Sequence, residues 1–272
     1  MPLKLAYKLK TGVPVEVDGI VPHALAELSL NAIERLEVQH GNERLPLAEA
    51  FAATGSAADG RLEFTGDLLS VHRIGAGMTA GRIDVAGPAG RHVGSQMTGG
   101  EIHLAGNAGD WLGAEMQGGS IQVRGDAGNL VGSAYRGSER GMTGGTITVA
   151  GNAGDEIGHT LRRGLIAIGG NCGDFAGINM IAGSVVVFGD CGVRPGAAMR
   201  RGTIALLGRR SPRLLPTFSQ ACRLQPIVLR LLLAEIRRLG LPVAAELTDQ
   251  DYWLYHGDGL AIGHGEIWVR AA

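Results

Sequence analysis

A short alternation of apolar and polar residues returns along this chain at a fixed interval. Each copy has two apolar residues separated by one other residue, a few positions after a glycine or its equivalent. A period of two is typical of a half-buried β-strand. The pattern predicts one short strand in each copy, and the apolar pairs are Ile83/Val85, Ile102/Leu104, Ile121/Val123, Ile147/Val149, Ile166/Ile168, Val185/Val187 and Ile204/Leu206.

The interval between the copies is nineteen residues, marked by the glycines Gly81, Gly100, Gly119, Gly145, Gly164, Gly183 and Gly202. One step is seven residues longer, because an insertion lies at 134–141. A fixed period near twenty residues indicates a solenoid, and frequent glycines without helix-length segments exclude helical repeats. We predict an all-β fold, a parallel β-helix of about eight turns. With turns about 4.8 Å apart, the rod would be about 40 Å long.

Two further columns follow the same period. The methionine column contains Met78, Met97, Met116, Met142, Met180 and Met199, with Leu161 in its one gap. The polar column contains Asn107, Asp126, Asn152, Asn171 and Asp190. Asparagine and aspartate suit turn corners because they bond nearby backbone and tolerate left-handed conformations.

The repeat divides the chain into three parts. Residues 1–60 lack it and are expected to cap the open end, 61–210 form the β-helix, and 211–272 form a C-terminal helix and cap. The outward strand positions become apolar in the late repeats, where they are Leu165, Ala167, Val186, Phe188, Ala205 and Leu207. Such a face must be covered. The predicted cover is a helix over 226–239, which could lie between the rod and a partner. The strand GEIWV near the end resembles one more repeat.

Besides the apolar face of the late repeats, two places are candidates for contact with a partner. The insertion is either a tolerated surface loop or a contact with a partner subunit or an anionic ligand. The aromatic tail, which contains Tyr252, Trp253, Tyr255 and Trp268, is either a packed cap or a set of interface anchors. The candidate contact residues are Tyr135, Arg136, Arg140, Phe188, Leu207, Trp253 and Tyr255.

Composition indicates which ligands and which cellular compartment this chain is suited to. The net charge is −1, which gives no indication of binding to nucleic acid or an anionic membrane. There is no apolar run long enough for a membrane helix. Three cysteines without metal spacing fit a reducing cytoplasm, and Cys172 and Cys191, one period apart, should stack as free thiols.

No motif carries recognisable chemistry. The eight histidines form no zinc-binding pair, and nucleophile and phosphate-loop motifs are absent from the sequence. Asp155 and Asp174 share a column and are interpreted as corner carboxylates that bond backbone amides. We therefore expect no catalytic, cofactor-binding or metal-binding residue in this chain. The alternative is a stand-alone β-helical carbohydrate-active enzyme or glycan-binding protein.

Several segments carry a family resemblance. The Gly-Asn-Ala-Gly-Asp units, the methionine column, the insertion before GMTGG, and the segments IERLEVQHGNERLPLAEAF and YHGDGLAIGHGEIWV resemble the C subunit of formylmethanofuran dehydrogenase. They also resemble its counterpart in the bacterial formyltransferase/hydrolase complex. The β-helical domain of glutamate synthase is a more distant likeness, which leaves a glutamate-synthase-like structural subunit as a further alternative.

The resemblance implies a right-handed β-helix without an active site of its own. It implies three partners, namely an amidohydrolase-like A subunit, a B subunit that resembles a molybdenum or tungsten enzyme, and a formyltransferase D subunit. The cofactors it implies are a methanofuran-type one-carbon carrier and a metal in another subunit. The expected role is a scaffold in tetrahydromethanopterin-linked one-carbon metabolism that ends in formate.

Overall fold

The computed structural model describes residues 1–271, and β-strands dominate it. Only α4, with 12 residues, is longer than a turn or so among the helices in this range. The β-rich fold predicted from the alternating pattern is confirmed. The elements are β1 (Leu3–Tyr7), β2 (Val15–Glu16), α1 (Pro22–Leu25), α2 (Leu30–Glu34), β3 (Glu37–His40), β4 (Glu43–Pro46), α3 (Leu47–Ala50), β5 (Phe51–Thr54), β6 (Arg61–Thr65), β7 (Val71–His72), β8 (Arg82–Val85), β9 (Glu101–Leu104), β10 (Ser120–Val123), β11 (Thr146–Val149), β12 (Leu165–Ile168), β13 (Ser184–Val187), β14 (Arg201–Leu206), β15 (Ser219–Leu224), α4 (Ile227–Arg238), α5 (Glu246–Asp249), β16 (Tyr252–Gly257) and β17 (His264–Arg270).

Thirteen strands form one large sheet, in which β6 and β8 to β14 follow one another in sequence order. Each of these strands pairs in parallel with the strand of the next repeat. Ile102 lies between Ile83 and Ile121, so the register equals the sequence period. Ile121 pairs with Ile147 across the insertion, which therefore leaves the register unchanged. The predicted strands and their alignment are confirmed.

A second line of contacts joins the same repeats away from the large sheet. Single parallel bridges connect equivalent residues of successive repeats, such as Ala89 with Ala108 and Ala153 with Cys172. Cys172 is bridged in turn to Cys191, and both cysteines are free thiols, as predicted. Each repeat is thus held to the next at two places along its length.

The methionine column packs against the glycine column of the following repeat. All six of these methionines and Leu161 are fully buried. A Cβ atom on Gly100 would lie 2.7 Å from Met78 Cε, and one on Gly119 would lie 2.7 Å from Met97 Cε. Because real Cβ atoms do not approach other atoms so closely, the methionine methyl groups depend on glycine at these positions.

The Asn/Asp column bonds the backbone of the next repeat. Asn107 Oδ1 accepts a hydrogen bond from the Asp126 N–H at 2.9 Å, and Asn152 Oδ1 accepts one from the Asn171 N–H at 2.8 Å. The predicted backbone bonding is confirmed. The tolerance of asparagine and aspartate for left-handed backbone is not used here, because no member of this column has a positive φ. Non-glycine residues with left-handed backbone lie in two other columns. The first, called the left-handed column below, has φ between 56° and 64° and consists of Arg73, His92, Trp111, Leu130, Glu156, Phe175 and Arg194. The second has φ between 54° and 57° and consists of Gln96, Glu115, Thr160, Asn179 and Ala198.

The segments outside the repeat extend the large sheet at both ends. β1 pairs in parallel with β6 and antiparallel with β5, while β2, β3, β4 and β7 form a smaller sheet. At the other end β17 pairs with β14, with Gly265 opposite Gly202 and Ile267 opposite Ile204. The prediction that GEIWV supplies a further repeat strand is confirmed. β16 and β15 then continue the sheet in antiparallel fashion.

Helix α4 covers the apolar outward face of the late repeats. Its residues Leu229, Leu233 and Ile236 are buried in a cluster with that face. The members contributed by the strands include Leu165, Ala167, Val186, Ala205 and Leu207. The predicted cover is confirmed, although Pro226 precedes the helix as its N-cap instead of lying within its first turn.

Candidate functional site

The insertion folds back onto the surface of the repeats through Tyr135. The Tyr135 ring lies 5.5 Å from the His92 ring and 6.4 Å from the Trp111 ring, between centroids. His92 and Trp111 are stacked, with centroids 5.3 Å apart and an angle of 20° between the rings. Both belong to the left-handed column, and both are half-buried. This aromatic cluster anchors one end of the insertion.

Electrostatics keeps the central pair of the cluster neutral. His92 Nδ1 lies 3.0 Å from Tyr135 Oη, within hydrogen-bonding distance. Burial, reinforced by the charge of Arg73, lowers the pKa of His92, and burial raises the pKa of Tyr135. Arg73 Nε donates a hydrogen bond to Asp18 Oδ1 at 2.6 Å. Burial acts to lower the pKa of Arg73, but the Asp18 carboxylate raises it overall. A neutral, partly buried pair suits an anchor better than a proton-transfer site.

A carboxylate provides the second anchor of the insertion. The backbone N–H of Tyr135 donates to Glu115 Oε1 at 3.2 Å, and Gln96 Nε2 donates to Glu115 Oε2 at 2.9 Å. Burial acts to raise the pKa of Glu115, but these hydrogen bonds and one from Ser138 lower it overall. Tyr135 is therefore a half-buried anchor, whereas Arg136 and Arg140 stand exposed on the loop.

A broad groove lies between the insertion and residues 258–263. Its volume is about 1070 Å³. Arg140, one of the candidate contact residues, lines it together with three arginines that were not singled out from the sequence. We call this surface the arginine groove, and its defining residues are Arg140, Arg162, Arg200 and Arg201.

The aromatic tail forms part of a second, smaller cavity. Trp253 and Tyr255 line a space of about 560 Å³ together with Arg209 and Arg210. The guanidinium of Arg223 lies 5.9 Å from the centre of the Trp253 ring. Trp253 and Tyr255 are half-buried in strand β16, so each is fixed by the sheet while part of its side chain remains accessible.

The two candidates of the late repeats differ in accessibility. Phe188 is half-buried at the margin of the cluster under α4. Leu207 is only 1% exposed because this chain's own helix covers it, so it is not on the free surface. The accessible apolar surface lies instead on the outer side of α4, where Ile227 is 74% and Leu231 is 67% exposed.

The acidic column is occupied by structural hydrogen bonds. Asp155 Oδ1 accepts from the Asp174 N–H, and Asp174 Oδ1 accepts from the Val193 N–H, both at 2.8 Å. The interpretation of these residues as corner carboxylates is confirmed. In residues 1–271 no group of three or more His, Cys, Asp or Glu side chains is arranged to hold a metal ion. Nor does any helix in that range have the length and apolar character to cross a membrane.

Comparison with characterised proteins gives a consistent assignment. No family model matches the chain. The chain is 39% identical over 93 residues to the C subunit of the molybdenum-containing formylmethanofuran dehydrogenase 1 of Methanosarcina barkeri, covering 33% of this chain and 31% of that protein. It is 42% identical over 93 residues to the C subunit of the tungsten-containing formylmethanofuran dehydrogenase 2 of Methanothermobacter thermautotrophicus, covering 33% of this chain and 34% of that protein. The matches thus span about a third of the length of these curated relatives.

A solved structure extends the similarity to the whole chain. It is the X-ray crystal structure of the formyltransferase/hydrolase complex (FhcABCD) from Methylorubrum extorquens in complex with methylofuran. A chain of that complex is 33% identical to this one, with a TM-score of 0.91 over 99% of this chain and 100% of that chain. The chain belongs to the family of formylmethanofuran dehydrogenase C subunits.

Proposed function

We propose that this chain is a non-catalytic structural subunit of a formyltransferase/hydrolase complex. Its partners would be an amidohydrolase-like A subunit, a B subunit and a formyltransferase D subunit. The complex would act in tetrahydromethanopterin-linked one-carbon metabolism and convert formyl groups to formate. The similarity of the whole chain to one chain of the FhcABCD complex supports this role.

The observation that carries the proposal is the double-sided character of α4. Its inner side packs on the late repeats through Leu229, Leu233 and Ile236. Its outer side exposes Ile227, Val228 and Leu231 next to one another. An apolar patch of this kind on a helix is typical of a protein–protein interface. We therefore place a partner subunit against the outer side of α4.

The same chain offers little for independent catalysis. Asp155 and Asp174 already accept backbone hydrogen bonds. His92, the histidine most enclosed by aromatic rings, is held by Tyr135 in the anchor of the insertion. A glycan-binding role keeps one supporting feature, because Trp253 and Tyr255 line a cavity of about 560 Å³. That role remains the second candidate.

We also propose that the repeats wind into a right-handed parallel β-helix, with residues 1–60 and 211–272 as its caps. The in-register parallel sheet and the second line of bridges support this architecture. The one-carbon carrier, of the methanofuran type, and the catalytic metal would be held by other subunits. Small-angle X-ray scattering tests the architecture, since a compact, near-spherical particle would contradict a rod.

Affinity purification from the native source tests the scaffold role. The tagged chain should recover an amidohydrolase and a formyltransferase, identified by mass spectrometry. Leu231→Asp should reduce that recovery at least tenfold. The matched control is Leu69→Asp, which changes a residue that is 60% exposed outside α4, against 67% for Leu231. Recovery of the wild-type chain alone would overturn the scaffold role, and unchanged recovery with Leu231→Asp would overturn the interface on α4.

A further inference from the structure

We propose that the arginine groove binds an extended acidic segment of a partner polypeptide. This site is separate from the outer side of α4 and does not depend on which protein covers that helix. Three properties of the groove support this assignment: its positive charge, the spacing of its arginines and the apolar residues at its edge.

The guanidinium groups of the groove differ from most others in residues 1–271 because they form no salt bridge there. Ten other arginines of the chain, such as Arg82 and Arg223, form salt bridges with carboxylates. Within the described residues, none of the four groove arginines does so, and Glu139 is the one acidic residue that lines the groove. Uncompensated positive charge in a concave surface attracts anions, and guanidinium groups match carboxylates in geometry. The groove is therefore built for a carboxylate-bearing ligand.

The sequence places this charge in particular repeats. After the column methionine, the early repeats have small or uncharged residues, as in MTG and MQG. Two late repeats have LRR and MRR, which supply Arg162, Arg163, Arg200 and Arg201. The insertion adds Arg140 to the lining of the same groove. Charge from three separate segments thus converges on one surface.

The spacing favours an extended ligand. Arg162 and Arg200 occupy equivalent positions two repeats apart, and each donates its N–H to the carbonyl of a column methionine one repeat earlier. With neighbouring strands about 4.8 Å apart, these positions are about 10 Å from each other. An extended polypeptide covers about 10 Å in three residues. A chain with acidic residues at such intervals can contact both arginines at the same time.

The edge of the groove favours a polypeptide over a nucleic acid. Leu260 and Ile262 line the groove and are 84% and 52% exposed. Their loop is held in place because Asp258 accepts hydrogen bonds from the N–H groups of Ala198 and Leu260, both at 3.0 Å. Apolar side chains beside arginines suit a segment that combines acidic and apolar residues. Among the residues that the structure describes, no aromatic side chain for base stacking lines the groove.

A direct binding measurement tests the site. The probe is a fluorescent twelve-residue peptide of aspartates and glutamates with two leucines, titrated with the purified full chain and followed by anisotropy. Arg162→Ala combined with Arg200→Ala should weaken binding at least tenfold. Arg35→Ala combined with Arg213→Ala removes the same charge from arginines outside the groove and should weaken it less than twofold. Thermal melts of both variants should match the wild type.

Three further results decide the identity of the ligand. The same peptide with glutamine and asparagine in place of its acids should not bind, and Leu260→Ser should weaken binding of the acidic peptide several-fold. Equal losses in the two double variants would overturn the site, because they would indicate unspecific attraction. A single-stranded oligonucleotide that binds more tightly than the peptide in a groove-dependent manner would overturn the polypeptide assignment. These results are independent of copurification through α4.

Discussion

The methyl group of Met116 fills the place that a side chain on Gly145 would need. A Cβ atom at Gly145 would lie 2.6 Å from Met116 Cε and 2.7 Å from the carbonyl oxygen of Gly119. Met116 is fully buried, and the glycine has a φ of 88°. This contact joins two columns that the sequence displays as separate features. Glycine is required here both for its backbone conformation and for the close approach of the neighbouring repeat.

Gly145→Ala should destabilise the fold by about 2–5 kcal/mol, because backbone strain and overpacking act together. Gly137→Ala is the matched control, since Gly137 has the same φ of 88° but nothing within 4 Å of a Cβ atom. It should cost about 1 kcal/mol. Denaturant unfolding of the two variants measures the difference. Equal losses would show that the contact with Met116 and Gly119 contributes nothing beyond backbone strain.

The corner hydrogen bonds give a second prediction. Asp155→Ala removes the acceptor for the Asp174 N–H and should cost about 1 kcal/mol, whereas Asp155→Asn retains an acceptor oxygen and should stay within about 0.5 kcal/mol of the wild type. The chain itself supports this comparison, because Asn129 fills the same role one repeat earlier. Chemical denaturation provides the measurement. If the asparagine variant were as unstable as the alanine variant, the negative charge and not the hydrogen bond would be responsible.

The two sides of α4 should respond differently to truncation. Leu233→Ala removes a fully buried side chain and should cost about 2–4 kcal/mol, while Leu231→Ala on the exposed side should change stability by less than about 0.5 kcal/mol. Amide hydrogen exchange of residues 227–238 reports whether the helix still covers the late repeats. Faster exchange in the Leu231 variant as well would contradict the assignment of inner and outer sides.

The histidine of the aromatic cluster makes stability depend on pH. The folded-state pKa of His92 lies below the ordinary value of 6.5, chiefly because of burial, so the unfolded chain binds the proton more readily. The stabilising contribution is present above pH 6.5 and is lost as the pH falls through the folded-state pKa. Thermal melts between pH 8 and 5 should therefore show decreasing stability in acid, to which His72, whose pKa burial also lowers, contributes.

His92→Gln should make that pH dependence less steep. His264→Gln, which changes an exposed histidine, serves as the control. A His92 variant with the full acid sensitivity of the wild type would assign the effect to other groups.

The three thiols should differ in reactivity. Cys222 is exposed, whereas Cys172 is buried, and a hydrogen bond with Cys172 together with burial raises the pKa of the Cys191 thiol. Because the thiolate is the reactive form, brief treatment of the native chain with iodoacetamide should modify Cys222 alone. Peptide mass spectrometry identifies the modified residues, and a denatured sample in which all three react is the control. Modification of Cys191, which is half-buried, in the native chain would contradict its protection by the neighbouring Cys172 thiol.

The repeat pattern was sufficient to predict the strands and their register. Each apolar pair, such as Ile102 and Leu104, faces the core because a strand alternates its side chains and the glycines fix where it begins. The apolar outward positions likewise predicted a cover, which α4 supplies. These predictions succeeded because burial of apolar residues acts on every repeat in the same way.

The sequence was less informative where a contact depends on two distant segments. The contact of the Tyr135 ring with the rings of His92 and Trp111 joins the insertion to two earlier repeats, and neither residue shares a column with Tyr135. The left-handed column was also missed, since its members share a backbone conformation and no side-chain type. The arginine groove could have been found from LRR and MRR. In these two repeats arginines follow the methionine column, where the other repeats have uncharged residues.

Strand β17 can join the large sheet only late in the synthesis of the chain. It continues the sheet directly beside β14, yet the residues between Leu206 and His264 must be synthesised before it can do so. During translation the edge of β14 therefore stays unpaired until β17 has been synthesised, although the repeats that precede β14 can already fold. An unpaired parallel edge can recruit strands from other nascent chains. When many copies of this protein are synthesised at once, their unpaired β14 edges can misassemble during that interval. A ribosome-bound chaperone that shields β14 would lower the risk.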